Sequence, residues 1–294
     1  MSAGPKIIRS IADMQAWSRG HREAGRSIGL VPTMGNLHDG HLSLVRMALE
    51  TSDRVVVSLF VNPSQFGPDE DFDSYPRTWD ADFELLSELG VHYIFAPPVE
   101  EIYPQGDTTR VCVNWGSDKL CGAARPGHFD GVTTVVAKLF GATLPDLAIF
   151  GQKDAQQALI LNRMVETLAF PVKLRLGETL RDADGLAMSS RNAYLDPQAR
   201  SRASALYRAL EASGEALKSG ERDPAALEAR GLELLSELDV EYFSVLDPQT
   251  LERPRQVSDG LLLIACAARL KGARLIDNHV YRITGERVEE ALLF

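Results

Sequence analysis

Short apolar runs alternate with amphipathic stretches between Ser27 and about Gly177. This alternation is typical of βαβ units arranged around a parallel sheet. The segment RVVVSLFV at 54–61 is nearly continuous in β-branched and apolar residues, as expected of a strand covered on both faces. The pattern predicts strands at Ile28–Thr33, Arg54–Val61, Val91–Ala96, Leu147–Gly151 and Val172–Leu176, and helices at Leu42–Thr51, Trp79–Leu89, Gly131–Phe140 and Ala155–Ala169.

The pattern changes after Asn192, where the chain becomes charged and alanine-rich with a helical period. It predicts helices at Pro197–Gly220 and Asp223–Leu238, followed by strands at Glu241–Leu246 and Leu261–Ala268. The predicted fold class is therefore α/β, a Rossmann-like parallel sheet with helices on both faces, followed by a smaller C-terminal α+β domain. We predict that the two domains span residues 1–187 and 188–294.

Composition places the chain among soluble globular proteins and narrows its partners. Of its 294 residues, 45% are hydrophobic and 24% are charged, and no apolar run is long enough to span a membrane. The three cysteines show no C-x-x-C spacing, which argues against a disulfide framework and a zinc site and fits a reducing cytoplasm. A formal net charge of -10 disfavours nucleic acid as the main partner. We therefore expect a cytoplasmic protein that acts on small molecules.

The first strand-to-helix junction reads LVPTMGNLHDGHLSLV at 30–45. Gly35 and Gly40 permit tight turns, and the N-H groups and dipole of the following helix attract a phosphate. His38 and His41 lie three residues apart at this junction and can both donate hydrogen bonds to that phosphate. Two alternatives remain: solvated surface histidines, and a metal site, for which we find no third ligand nearby.

Four further segments carry a specific resemblance. They read FVNPSQF at 60–66, RPGHFDG at 125–131, GQKDAQQ at 151–157 and RDADGLAMSSRN at 181–192. The string HDGH resembles the HxGH signature of the superfamily of nucleotidyltransferases and class I aminoacyl-tRNA synthetases. The longer string PTMGNLHDGH and the four segments resemble the pantothenate synthetase family. The likeness covers about residues 25–195, and RLIDN at 274–278 extends it.

The resemblance implies a ligase that joins (R)-pantoate to β-alanine through a pantoyl adenylate and releases AMP and pyrophosphate. ATP would be a substrate, and Mg²⁺ is expected because ATP chemistry uses it to bridge phosphate oxygens. The family likeness also implies a homodimer formed through the N-terminal domain.

Attack of a carboxylate on the α-phosphorus concentrates negative charge on the equatorial oxygens, so the site needs donors and cations placed there beforehand. His41, His38, Lys153 and Arg191 are our candidate catalytic residues, with His41 implied by the resemblance to be the proton donor. The resemblance implies that ATP binds to the HxGH turn and to the later loops, namely Met34, Gly35, Asn36, Leu37, His38, Asp39, Gly40, His41, Gly151, Gln152, Lys153, Asp154, Leu180, Met188, Ser189, Ser190 and Arg191.

Gln65 and Gln157 resemble the glutamines that hold pantoate in the family, and an amide suits a substrate that bears hydroxyls and a carboxylate. Asn62, Arg125 and His128 are further candidates. Gln152 departs from the more usual glutamate, and Ser64 departs from a methionine, which leaves the roles of these two positions open. We assign no metal ligand. Asp80 and Asp82 are candidates, but acidic residues in a first helical turn more often complement the helix dipole.

Two rival functions remain open on the sequence. A nucleotidyltransferase that stops after moving the nucleotidyl group would share the HxGH turn but would have no use for FVNPxQF or RPGHF. A nucleotide-sensing binding protein with the same fold would have lost a catalytic histidine, lysine or arginine, and none is lost here.

Overall fold

The computed structural model describes residues 4–68 and 70–294, which form two compact units. Unit 1 comprises the described residues up to Asp118, together with Arg125–Gly151 and Ile160–Gly177. Unit 2 comprises Lys119–Ala124, Gln152–Leu159 and Glu178–Phe294. No helix within the described residues is long and apolar enough to span a membrane.

Unit 1 is built around a parallel sheet with helices against it. Its strands are β1 (Lys6–Ile8), β2 (Ile28–Thr33), β3 (Arg54–Leu59), β4 (Tyr93–Phe95), β5 (Leu147–Gly151) and β6 (Lys173–Gly177). Its helices are α1 (Ile11–Glu23), α2 (Asp39–Thr51), α3 (Trp79–Glu88), α4 (Val99–Ile102) and α6 (His128–Thr143), and α7 (Ala155–Thr167) belongs to it from Ile160 onward. The apolar faces of the sheet and helices form the core, with Val31, Val57 and Ile149 fully buried.

The strand order β1-β4-β3-β2-β5-β6 positions the site. From β2, the chain adds β3 and then β4 on one side and later β5 and β6 on the other side. The strand order therefore reverses between β2 and β5, which pair in parallel. Open parallel sheets bind ligands outside the carboxyl ends of their strands at such a reversal. The segments that leave β2 after Thr33 and β5 after Gly151 begin at this place.

Unit 2 contains an antiparallel sheet in the order β10-β9-β8-β7. The strands are β7 (Asp239–Leu246), β8 (Gly260–Leu270), β9 (Ala273–Thr284) and β10 (Arg287–Glu290). The helices are α5 (Cys121–Ala124), α8 (Pro197–Ala203), α9 (Ala205–Lys218) and α10 (Pro224–Leu232). Apolar residues of α9 such as Leu206 and Leu210 pack with Ile264 and Tyr281 of the sheet in one core. The α/β class with a smaller α+β part is thus confirmed.

Several predicted bounds differ from the structure. The elements β1, α1, α4, α5, β9 and β10 are additional to those predicted. The predicted helix at 197–220 is wrong as one element, because α8 ends at Ala203 and α9 begins at Ala205, with Ser204 between them. The hydroxyl of Ser204 donates to the carbonyl of Ser201 at 2.9 Å. The strand predicted to end at Val61 ends at Leu59, ahead of Pro63, which has no N-H for a sheet. Helix α2 begins at Asp39 and not at Leu42, so it includes His41.

Candidate active site

The turn after β2 is shaped by a buried aspartate from helix α3. Both carboxylate oxygens of Asp82 accept backbone N-H groups, from Asn36 at 2.9 Å and from Leu37 at 2.8 Å. Asp82 is only 3% exposed. Gly35 has a positive φ of 82°, and a Cβ there would lie 2.9 Å from Asp82 Oδ2. A glycine is therefore needed for the turn to reach its anchor.

His38 and His41 lie side by side at the start of α2. Their ring centroids are 4.0 Å apart, His38 is the N-cap residue, and His41 lies in the first turn. Nδ1 of His41 accepts the backbone N-H of His38 at 3.4 Å. A neutral ring that accepts through Nδ1 carries its proton on Nε2, so His41 has a donor on its other side. The structure thus places both predicted histidines at a helix start suited to a phosphate.

A second polar group follows β3, with Asn62 at its centre. Asn62 is 2% exposed and is the N-cap of a short 3₁₀ turn, Pro63–Gln65. Its Nδ2 donates to Gln65 Oε1 at 2.9 Å, and its Oδ1 accepts the hydroxyl of Tyr103 at 2.7 Å. Burial raises the pKa of Tyr103, which keeps this hydroxyl a donor. The network fixes the orientation of the Gln65 amide.

Gln65 links this group to the phosphate turn. Its Nε2 lies 3.4 Å from the sulfur of Met34, the first residue after β2. The predicted pantoate glutamine and the predicted nucleotide turn are therefore in contact within unit 1.

Arg125 and His128 hold the backbone of the same 3₁₀ turn. His128 Nδ1 donates to the carbonyl of Gln65 at 2.8 Å, and Arg125 donates to this carbonyl and to His128 Nε2. Glu70 pairs with Arg125 through both carboxylate oxygens. Burial alone would raise the pKa of Glu70, but the hydrogen bonds and charge of Arg125 outweigh it and lower the pKa. These residues therefore position Gln65.

Gly131 completes this region from helix α6. A Cβ at Gly131 would lie 2.2 Å from the carbonyl oxygen of Ser64, so only glycine allows the helix and the 3₁₀ turn to approach this closely. Ser64 itself bonds to Asn62 and Tyr103 through its hydroxyl. The departure at Ser64 therefore adds a hydroxyl to the Asn62 network.

The turn that carries Lys153 lies in unit 2 and follows β5 directly as a 3₁₀ turn, Gln152–Asp154. Its two consecutive carbonyls, of Gln152 and Lys153, accept from Nδ2 of Asn278 at 3.0 and 2.9 Å. The Gln152 side chain is buried, donates to the carbonyl of Ala291 and accepts the N-H of Leu293, both at 2.9 Å. A glutamate could not donate to Ala291, so the departure at Gln152 has a structural use in this chain.

The predicted ATP contacts Met188–Arg191 of unit 2 follow a short hairpin. The N-H of Met188 donates to the carbonyl of Leu180 at 2.9 Å, so these two predicted ATP contacts lie opposite each other. The loop continues into a 3₁₀ turn, Ser190–Tyr194, whose N-cap is Ser189. Ser189 Oγ accepts the N-H of Arg191 at 3.3 Å. This contact forms an ST-turn that precedes a helical turn.

A buried ion pair supports the hairpin. Arg181 donates to both carboxylate oxygens of Asp277, at 2.6 and 3.0 Å, and to the carbonyl of Gly185. Burial alone would lower the pKa of Arg181, but Asp277 raises it. The guanidinium also lies 4.6 Å from the ring centroid of Tyr207, and a Cβ at Gly185 would collide with that ring.

The structure divides the predicted site residues between the units. Unit 1 contains Met34–His41, Gln65 and Gly151, and unit 2 contains Gln152–Asp154, Gln157, Leu180 and Met188–Arg191. Gln157 is half-buried at the start of α7, next to the buried Gln156, whose amide holds the N-H of Cys121 and the carbonyl of Lys119. That both sets act on one ATP stays a prediction.

Several supporting residues carry no signal in the sequence. Glu70, Tyr103 and Asp277 lie outside the predicted site, and Asp82 is predicted only as a dipole partner or metal ligand. Each acts through tertiary contacts with residues 39 or more positions away in the sequence, so local spacing gives no signal for it. The segment RLIDN carries a resemblance but no predicted role. Its Asp277 binds Arg181, and its Asn278 binds the turn that carries Lys153.

Among the described residues, Glu211, His279 and Glu290 have ligand atoms within 4.8 Å of one another. His279 Nδ1 lies 3.4 Å from Glu211 and 3.0 Å from the hydroxyl of Tyr281, and Lys218 lies 3.8 Å from Glu290. Lys218 thus pairs with the charge of Glu290, and burial lowers the pKa of His279. We assign no metal to this group.

Comparisons with known proteins agree over nearly the whole chain. The family model described as pantoate-beta-alanine ligase matches residues 6–280. The pantothenate synthetase of Heliobacterium modesticaldum is 50% identical over 283 residues, 95% of this chain and 100% of that protein. That of Pelotomaculum thermopropionicum is 48% identical over 277 residues, 93% of this chain and 98% of that protein.

Two solved structures are also similar. The pantothenate synthetase from Thermus thermophilus gives a TM-score of 0.87 at 44% identity, covering 93% of this chain and 98% of that one. The pantoate-beta-alanine ligase from Francisella tularensis, complexed with beta-gamma ATP and beta-alanine, gives 0.77 at 30% identity, covering 93% and 97%. With the family model matched over residues 6–280 and relatives half identical along their full length, this chain belongs to the pantoate-beta-alanine ligase family.

Proposed function

We propose that this protein condenses (R)-pantoate with β-alanine at the expense of ATP, through a pantoyl adenylate, and releases AMP and pyrophosphate. The observation that carries the proposal is the contact between Gln65 and Met34, 3.4 Å from amide nitrogen to sulfur. The amide of Gln65 suits a hydroxy acid, and the turn that begins at Met34 suits a phosphate. A pantoate carboxylate bound by Gln65 would therefore lie next to the phosphates of ATP.

In the first step, a carboxylate oxygen of pantoate forms a bond to the α-phosphorus, and the bond from that phosphorus to the bridging oxygen of pyrophosphate breaks. Charge develops on the α-phosphate and on the leaving group. The Nε2-H of His41 and the ring of His38, at the N-terminus of α2, stabilise this charge. Donors fixed before the reaction need no reorganisation during it, and general acid assistance typically contributes about 10²- to 10⁴-fold.

Lys153 and Arg191 supply the positive charges from unit 2 in this proposal. Lys153 lies in the 3₁₀ turn that follows β5, and open parallel sheets bind ligands outside the carboxyl ends of their strands. Lysine provides a mobile point charge for the phosphates, and arginine provides a forked donor. The remaining predicted ATP contacts, Leu180 and Met188–Ser190, would cover the nucleotide.

In the second step, the neutral amine of β-alanine attacks the acyl carbon of the adenylate. The carbon–nitrogen bond forms, the bond from the acyl carbon to the phosphate oxygen breaks, and the amine proton leaves as AMP departs. Gln65 and Gln157 hold the pantoyl group without adding charge, which keeps the anionic intermediate bound. Exclusion of water would protect it from hydrolysis.

Mg²⁺ would arrive with ATP, and its charge would offset the negative charge of the phosphates. The carboxylates near the turn fit an ion carried by ATP better than an ion held mainly by the protein. Both oxygens of Asp82 are taken by backbone N-H groups, and Asp80 is exposed. Phosphate oxygens and water would therefore be its main ligands.

A homodimer formed through the N-terminal part and a cytoplasmic location belong to the same proposal, supported by the family likeness. Size-exclusion chromatography with light scattering should give a mass near twice 32.3 kDa.

The function is tested by incubating the protein with Mg-ATP, (R)-pantoate and β-alanine and separating the nucleotides. We expect AMP and pantothenate in equal amounts only when both organic substrates are present. Formation of ADP would indicate an acyl phosphate route. Nucleotidyl transfer that does not consume β-alanine would support the rival nucleotidyltransferase.

A further inference from the structure

The turn that carries Lys153 is held by residues far from it in sequence. Nδ2 of Asn278, in the middle of β9, donates to the carbonyls of Gln152 and Lys153 at 3.0 and 2.9 Å. Asn278 is 4% exposed and lies in the same compact unit as the turn. One side-chain nitrogen thus fixes two consecutive peptide planes.

The side chain of Gln152 holds the turn from a second direction. It bridges the carbonyl of Ala291 and the N-H of Leu293, so the C-terminal segment also contacts this turn. Asn278 is itself fixed, because its neighbour Asp277 accepts the N-H of Asn278 at 2.8 Å and binds Arg181. The turn is therefore preset by contacts within the folded unit.

We propose that Asn278 is a positioning residue for adenylation, which fixes the Gln152–Asp154 turn so that the side chain of Lys153 meets the ATP phosphates. This inference rests on the proposed function and adds to it the residue that presets the lysine. Asn278 does not touch substrate in this account. It acts through the Lys153 turn.

The test uses Asn278→Leu, which has similar volume but no donor, in the full-length protein. The pantoate-dependent exchange of pyrophosphate into ATP measures adenylation. We expect its maximal rate to fall at least tenfold, because small misplacements of a positioned group are costly. The KM for pantoate should stay within twofold. Arg282→Leu, on an exposed position of the same strand, is the matched control and should keep the wild-type rate.

A double-mutant cycle separates positioning from general damage. If Asn278 acts through Lys153, Asn278→Leu should change the rate less than twofold in a Lys153→Ala background. An undiminished tenfold loss in that background would overturn the proposal. So would a full rate in Asn278→Leu at a temperature where circular dichroism shows both proteins folded.

Gln152→Glu provides a second, milder variant should Asn278→Leu fail to fold. It removes the donor to Ala291 and should also lower the maximal rate without changing the KM for pantoate, whereas an unchanged rate would contradict the presetting of the turn. Absence of any pantoate-dependent exchange in the wild type would instead refute the proposed function.

Discussion

Asp82 binds Leu37 through a hydrogen bond of 2.8 Å from the backbone N-H to the carboxylate, and the neighbouring N-H of Asn36 is held by the other oxygen. A residue of helix α3 thereby sets the path of the turn between β2 and the histidine pair. The path of this turn is therefore fixed by protein contacts before any phosphate arrives.

Asp82→Asn should impair adenylation and stability together. The amide keeps one acceptor but turns a donor toward the second N-H, leaving it buried and unsatisfied. We expect a loss of about 1–3 kcal/mol in the free energy of unfolding and a rise in the KM for ATP. Chemical denaturation and initial-rate kinetics measure both. Asp80→Asn, an exposed position in the same helical turn, should change neither, and an unaltered Asp82→Asn protein would contradict the anchoring role.

His41→Ala should remove most of the adenylation activity and leave the fold intact. In the proposed mechanism the ring supplies a donor to the α-phosphate. The ring is only half-buried, so little packing is lost. The expected decrease in the maximal rate is about 10²- to 10⁴-fold. Arg46→Ala, exposed on the same helix, is the control. A variant that loses cooperative unfolding would point to a structural histidine.

Gly131→Ala should displace Gln65 and so weaken the proposed pantoate site. The new Cβ would lie 2.2 Å from the carbonyl of Ser64, so the 3₁₀ turn bearing Gln65 must move. We expect the KM for pantoate to rise at least tenfold. Gly141→Ala in the same helix meets nothing within 4 Å and should be neutral or slightly stabilising. Equal pantoate kinetics in the two variants would refute the close approach.

His92 should make stability depend on pH in the weakly acidic range. Burial, with a smaller contribution from Arg54, lowers its pKa below 6.5, and its Nδ1 accepts the N-H of Val55 at 3.2 Å. Between the lowered pKa and 6.5 the unfolded chain binds more protons, so the free energy of unfolding decreases as pH falls through this window.

His92→Gln retains an acceptor for Val55 but cannot be protonated. Urea denaturation at pH 7.5 and at pH 5 should therefore show a smaller loss of stability in the variant than in the wild type. Equal losses in the two proteins would mean that His92 does not contribute.

The sequence predicts much of unit 1 because its central strands are uniform in pattern. The bounds of β2 and β5 are confirmed at both ends, since each is a short, mostly apolar segment that stops at a turn signal, although Pro32 lies within β2. The short edge strand β1 carries only three residues, too few for a period to be recognised. The continuous helix expected at 197–220 is wrong, because Ser204 separates α8 from α9.

The site was predictable where one segment carries its own chemistry, as in the turn from Met34 to His41. It was not predictable where the function of a residue depends on a distant partner. Asp82 meets Leu37 across 45 positions, and Asn278 meets Lys153 across 125. The short segments 119–124 and 152–159 belong to unit 2 through such contacts. The spacing of residues along the chain does not predict these contacts, so the residues that position the site become evident only in the folded structure.

The transfer of a carboxylate oxygen to AMP tests the pantoyl adenylate most directly. Pantoate labelled with ¹⁸O in both carboxylate oxygens is converted with β-alanine and Mg-ATP, and the AMP is analysed by mass spectrometry. The account predicts one ¹⁸O atom in each AMP, because the attacking oxygen remains on phosphorus when the amine displaces it from carbon. Unlabelled AMP formed together with pantothenate would contradict it.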